Sequence, residues 1–192
     1  DTLRTLPERE FRSGLAEVIK YGIIYDARLF ATLERGLDRV LRLEEKSLIP
    51  MIARCCEIKG AVVSQDETET GLRAILNFGH TVGHAIENSF GYGKFLHGEA
   101  ISMGQIVAAR LSERLMGLPR PEVERIKTLF HRAGLPIGVR LNTARRRKLF
   151  DAMRLDKKTS GGQVRFVLAR RIGEVEFGIR VPDEAIDWAL RG

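Results

Sequence analysis

Cysteine, tryptophan and long apolar runs are all scarce in this chain. Cys55 and Cys56 are the whole cysteine complement of 192 residues. They are adjacent, and a vicinal disulfide would be strained, so reduced thiols are expected. Two cysteines with no others nearby also make a thiolate metal site a poor expectation. No apolar run approaches the ~20 residues that span a bilayer. The start, Asp1 to Pro7, lacks the apolar core of a secretion signal. These absences predict a cytoplasmic protein with no membrane partner. No strand followed by Gly-x-Gly-x-x-Gly occurs, so no dinucleotide-binding unit is expected within these residues. Repeats, low-complexity tracts and an interdomain linker are missing too, which predicts a single domain over 1–192.

The charge balance is +7, with 32 Lys and Arg against 25 Asp and Glu. Most basic residues alternate with acids. The one dense run, Arg145-Arg146-Arg147-Lys148, has no interleaved aromatics and is expected to be a solvated helix face. Nucleic acid is therefore not an expected partner.

Apolar spacing predicts a mostly α fold. Helices are expected from Pro7 to about Ile24 and from Asp26, as cap, to Arg35 with a stop at Gly36. Further helices are expected over 44–64, 74–89, 98–116, 121–133, 143–155 and 182–190. The period changes at 163–168 and 174–178, where alternation with Gly173 between predicts one antiparallel hairpin.

Three of the four histidines lie between positions 80 and 97. His80 and His84 are four apart and share a face on a helix. Arg73, Asn77, His80 and His84 follow steps of four and three, so on a helix all four can line one stripe. Thr81 stands where a zincin would carry its catalytic glutamate, which disfavours a metalloprotease. A catalytic zinc takes three protein ligands. His80, His84 and His97 could supply them, or a carboxylate such as Glu17 could replace one. Glu17 and Lys20, three apart on the first helix, read either as a surface ion pair or as a buried ligand beside a cation. The segment Asp156-Lys157-Lys158 to Gly162 reads as a solvated loop, with lysines able to reach an anion.

Taken together, several segments resemble the C-terminal domain of the 3-dehydroquinate synthase family, within the sugar phosphate cyclase superfamily. They are Leu6 to Gly22, Asp66-Glu67-Thr68-Glu69 with Gly71 and Arg73, Leu76 to Glu87, His97-Gly98-Glu99-Ala100, and Asp156-Lys157-Lys158. The resemblance implies a mostly α, multi-helix domain with one small hairpin. It implies a Zn2+ or Co2+ site of Glu17, His80 and His97, with His84 assigned to substrate phosphate instead. Lys59 and Arg73 would hold a substrate carboxylate, and Lys20 and Glu69 would lie near its hydroxyls. Asn77, His84 and one of Lys157 and Lys158 would meet the phosphate.

The implied reaction is the NAD-dependent conversion of 3-deoxy-arabino-heptulosonate 7-phosphate to 3-dehydroquinate and phosphate, in the shikimate pathway. The family's N-terminal NAD-binding domain is not in this sequence, so the isolated domain is expected to be inactive. The anionic sugar phosphate, the NAD domain and a second copy in a homodimer are the implied partners. Three alternatives compete: a deoxy-inosose or valiolone-type synthase, an iron-type alcohol dehydrogenase relative, and a non-enzymatic basic nucleic-acid module. The Asp66 to Arg73 segment does not suit the dehydrogenases.

Overall fold

The computed structural model describes residues 2–67, 71–91, 93–159 and 164–191, with the backbone alone at 155–159. Eight α-helices and a two-stranded antiparallel hairpin are present among them. The expected mostly α architecture with one hairpin near the C-terminus is what forms.

The helix α5 (His97–Met116) is the axis of the molecule. Gly98, Ala100 to Ala109, Leu111 and Ser112 are all buried along it. A helix apolar all round must be enclosed by other elements. Around it pack α1 (Glu8–Ile24), α4 (His80–Phe90), α6 (Arg120–Arg132), α8 (Asp183–Leu190) and strand β1 (Arg165–Arg171). The helices α2 (Ala27–Leu41) and α3 (Glu45–Gln65) extend this assembly from α1, and α7 (Thr143–Thr159) lies against α4.

Two hydrogen bonds tie the hairpin to the helices, one through a side chain of α5 and one through the backbone of α1. The Ser112 hydroxyl accepts from the Ala169 amide at 2.8 Å. The Gly173 amide, in the turn before β2 (Glu174–Arg180), donates to the Ile23 carbonyl of α1 at 2.7 Å. Strand β1 departs from the expected alternation, since Phe166, Val167, Leu168 and Ala169 are all buried in succession. Helices cover both of its faces, so four apolar residues in a row are satisfied there.

Three expected boundaries are corrected. The helix α2 runs through Gly36 to Leu41, because Leu33, Leu37 and Val40 continue one buried stripe. Burying each such side chain stabilises by about 1.5–3 kcal/mol, against ~1 kcal/mol lost at a helical glycine. The helix α7 continues to Thr159, so Asp156, Lys157 and Lys158 sit on a helical backbone instead of a loop.

The third correction matters most. The continuous helix expected over 74–89 is broken. A 3-10 helix covers Leu72–Asn77, and α4 begins afresh at His80. Between them Gly79 takes φ +80°, and a Cβ there would lie 2.4 Å from Gln105 Cγ. The Gly79 carbonyl in turn lies 2.1 Å from where a Gly104 Cβ would stand. Backbone meets backbone at this crossing of α4 and α5, and neither position has room for a side chain.

Gly79→Ala is expected to lose about 2–5 kcal/mol of stability, combining left-handed strain with overpacking. Urea unfolding of the variant checks this, and an unchanged midpoint would refute the close crossing. A second expectation concerns Asp26. Its carboxylate caps α2, accepting from the Arg28 and Leu29 amides at 2.9 and 3.0 Å, and pairs with Arg54 Nε at 2.6 Å. Burial pushes its pKa up, but the Leu29 amide, Arg54 and the Arg28 amide outweigh that, so it falls below 3.8. The native state therefore holds the proton less tightly than the unfolded chain. Asp26→Ala should cost about 1–2 kcal/mol at neutral pH. The difference from the parent chain should persist above the unfolded pKa and shrink as pH falls through the lower folded one.

Candidate metal centre

Three elements distant in sequence deliver the site. The helix α1 carries Glu17 and Lys20, the first turn of α4 carries His80, and α5 opens with His97. Glu17 Oε1 lies 3.5 Å from His80 Nε2 and 3.9 Å from His97 Nε2. One donor atom from each of the three side chains lies within 4.8 Å of the others. Lys20 Nζ donates to the other Glu17 oxygen, Oε2. The pair is not an open surface ion pair, because Lys20 is only 3% exposed while Glu17 is half-buried.

Glu17 Oε1 is buried and has no hydrogen-bond partner among the described residues. A carboxylate oxygen withdrawn from water and left without a donor is costly unless a cation completes it. The two imidazole nitrogens turned toward it lie close enough to share a divalent ion with it. Each ring is fixed through its other nitrogen: His80 Nδ1 meets the Phe78 carbonyl at 3.3 Å, and His97 Nδ1 meets Glu87 Oε1 at 3.4 Å. Metal-ligating histidines are held in this manner. The donor set, one carboxylate and two imidazoles, fits a zinc-type ion with a coordination position left open.

The electrostatics agree. Burial, and then the charge of Lys20, push the His80 pKa down to about 4. The ring is therefore neutral near pH 7, the form that binds metal. Burial also lowers the Lys20 pKa against the opposing pull of Glu17, with Lys59 adding a repulsive charge nearby. Tyr21 beside the pair is pushed up to about 12, first by burial and then by Glu17.

Among the other expected residues, His84 joins the cluster with its ring centroid 5.3 Å from His80 and 5.9 Å from His97. It is exposed, and Glu17 is approached by His80 and His97. Arg73 lies in the 3-10 helix and Asn77 ends it, so neither shares the α4 face with His80 and His84. Gly79 breaks the single stripe the spacing suggested. Lys59 is exposed on α3. Glu69 lies outside the described residues, as do the side chains of Lys157 and Lys158. The basic run of α7 is largely a solvated face, with Arg145, Arg147 and Lys148 exposed; Arg145 lies over the Phe90 ring at 4.5 Å, and Arg146 pairs with Asp187.

Some supporting residues escaped the sequence reading. Asp66 accepts from the Gly71 and Arg73 amides at 2.8 and 2.9 Å and so fixes the start of the 3-10 helix that carries Arg73. Glu99 accepts from the Leu96 amide at 2.9 Å and from both Arg9 Nε and a terminal nitrogen at 2.7 Å, tying the start of α5 to α1 beside His97. Gln105 is fully buried and donates to the Ala16 carbonyl, next to Glu17, at 3.1 Å. An amide side chain amid the largely apolar stretch Ala100 to Ala109 was the available signal for Gln105.

The chain as a whole is similar to known proteins. Residues 14–159 match the family model described as 3-dehydroquinate synthase C-terminal, and the chain belongs to that family. A 3-dehydroquinate synthase of Nitrosomonas europaea is 50% identical over 182 residues, covering 94% of this chain and 48% of that protein. Among solved structures, 2-epi-5-epi-valiolone synthase from Streptomyces hygroscopicus subsp. jinggangensis, with NAD+ and Zn2+ bound, matches with a TM-score of 0.88. It is 26% identical, over 98% of this chain and 52% of that one. A 2-deoxy-scyllo-inosose synthase complexed with carbaglucose-6-phosphate, NAD+ and Co2+ matches with a TM-score of 0.79 and 25% identity, over 98% of this chain and 54% of that one. The chain spans about half the length of these relatives.

The chain is expected to bind one Zn2+. Glu17→Gln, His80→Ala and His97→Ala should each weaken binding by more than about 100-fold, beyond what loss of an outer partner causes. Competition with a chromogenic chelator measures this. Undiminished zinc in all three variants would overturn the ligand set.

Proposed function

We propose that this member of the 3-dehydroquinate synthase family is the metal- and substrate-binding half of an enzyme of the shikimate pathway. That enzyme converts 3-deoxy-arabino-heptulosonate 7-phosphate to 3-dehydroquinate and phosphate, as a carbon–oxygen lyase of the cytoplasm. The orphaned Glu17 oxygen facing two imidazoles carries the reading, and the 50% identity to a curated 3-dehydroquinate synthase supports the choice of substrate. NAD would lie mainly on the half of the relatives that this chain does not span, and a homodimer is the expected assembly.

The bound groups would supply two things: Lewis-acid polarisation of a substrate oxygen by the divalent ion, and hydride acceptance and return by the nicotinamide. This chain's residues would do the rest. Glu17, His80 and His97 would hold the ion, Lys20 would fix the Glu17 carboxylate, and Lys20 and Glu69 would serve the substrate hydroxyls. Arg73 presents a planar fork to the substrate carboxylate, with Lys59 adding charge. Asn77, His84 and one of Lys157 and Lys158 grip the phosphate. Holding both anionic ends of the substrate fixes the reacting carbons between them. Oxidation of a hydroxyl to a ketone acidifies the neighbouring C–H. The substrate's own phosphate takes that proton and leaves, the ketone is reduced again, and ring opening precedes an intramolecular aldol closure. No dedicated protein base is required.

A second reading, a valiolone- or deoxy-inosose-type synthase, is favoured by the likeness to those solved folds. The two readings differ in whether the substrate bears a carboxylate for Arg73 and Lys59.

Calorimetric titration of the zinc-loaded chain separates them. The heptulosonate 7-phosphate should bind at least about 10-fold more tightly than sedoheptulose 7-phosphate or glucose 6-phosphate, as a desolvated charge pair of 1.4 kcal/mol or more would give. Arg73→Ala should erase the difference. Supplied with NAD and substrate, the chain alone should form no dehydroquinate. Preference for a phosphate lacking the carboxylate would favour the second reading, and steady turnover would refute the assignment as half an enzyme.

A further inference from the structure

We infer that Glu87 is a positioning residue of the metal centre, holding the His97 ring so that Nε2 faces Glu17; the inference rests on the metal-site reading above. Glu87 follows His84 by three positions on α4 and is partly buried. Its Oε1 is 3.4 Å from His97 Nδ1, while the opposite ring nitrogen is 3.9 Å from Glu17 Oε1. A neutral imidazole has one N–H and one lone pair, on different nitrogens. A carboxylate at Nδ1 draws the proton there and leaves the Nε2 lone pair for an ion.

His97 needs this anchor more than His80 does. The His80 side chain is 14% exposed and enclosed by its neighbours, so a neutral carbonyl, that of Phe78, suffices to orient it. The His97 side chain is 51% exposed and sits at the first residue of α5, where packing alone leaves the ring free to turn over. An anionic acceptor makes the stronger hydrogen bond where packing is weakest.

The same atoms offer a rival use. Donors of His84, Glu87 and His97 also lie within 4.8 Å of one another, which makes a second group able to hold a cation. Glu87 would then be a ligand, and His97 would give its lone pair at Nδ1 with the proton on Nε2, turned toward Glu17. A neutral His97 cannot serve both sets. The inner set has the orphaned buried oxygen and the buried imidazole, whereas His84 of the outer set is exposed.

Titration of the chain with Co2+, read by its visible d–d absorption, tests the inference. Glu87→Ala should bind Co2+ about 10–100-fold more weakly, with the stoichiometry unchanged at one and an altered band shape. Glu87→Gln, whose amide oxygen still accepts from Nδ1–H, should recover part of the loss. Thermal melting of the metal-free chain should barely change in either variant. Placed in His97→Ala, Glu87→Ala should have no further effect, because its partner is gone. Full affinity for the first Co2+ with loss of a second equivalent would make Glu87 an outer ligand and overturn the inference. So would an equal loss in the His97→Ala background. If Glu17→Ala abolishes binding while Glu87→Ala changes nothing, the metal site stands and only the role of Glu87 falls. A parent chain that binds no Co2+ overturns both.

Discussion

The crossing of α4 over α5 at Gly79 and Gly104 is the constraint on which the rest of the molecule depends. Side chains there would hold the two helices apart, and His80 would no longer reach the Glu17 carboxylate. The same crossing explains why the chain leaves a 3-10 turn at Asn77 and starts a new helix at His80. Gln105 fills the space beside it and reaches the backbone of α1 one residue before Glu17. One polar side chain and two glycines thus set the spacing between Glu17 and His80. The third, His97, is placed by the opening turn of α5, which Glu99 and Arg9 hold against α1.

The helical class, the hairpin and most helix limits could be read from periodicity and from punctuation at Gly117, Gly134 and Pro182. Periodicity failed where tertiary packing overrode it. Gly36 looked like a stop, yet the buried stripe of α2 continues beyond it. Gly79 and Gly83 inside an expected helix pointed to close packing, but only the facing backbone of α5 shows why the chain must turn at Gly79. Four consecutive buried residues in β1 carry no alternation to find, because both faces are covered.

The site was legible in a different way. Histidines at positions 80, 84 and 97 announced a cluster, but spacing alone could not choose between His84 and Glu17 as the partner of the other two. That choice depends on α1 lying across the start of α4, a long-range contact. His84 and Glu87 share a face of α4 and were equally visible, yet an acid three residues from a histidine is an ordinary helical neighbour until His97 is seen beside it. Resemblance to a family supplied what periodicity lacked, and the geometry of Glu17, His80 and His97 agrees with it.

The dispersal of these ligands along the chain has a thermodynamic consequence. Glu17, His80 and His97 come together only when three helices have docked, so an unfolded chain offers a divalent ion no comparable cage. Any ion held there draws its affinity from the same equilibrium that folds the domain, and each tenfold rise in its free concentration above the dissociation constant adds about 1.4 kcal/mol to native stability. Zinc supply would then govern how long the folded domain survives as well as what it can bind.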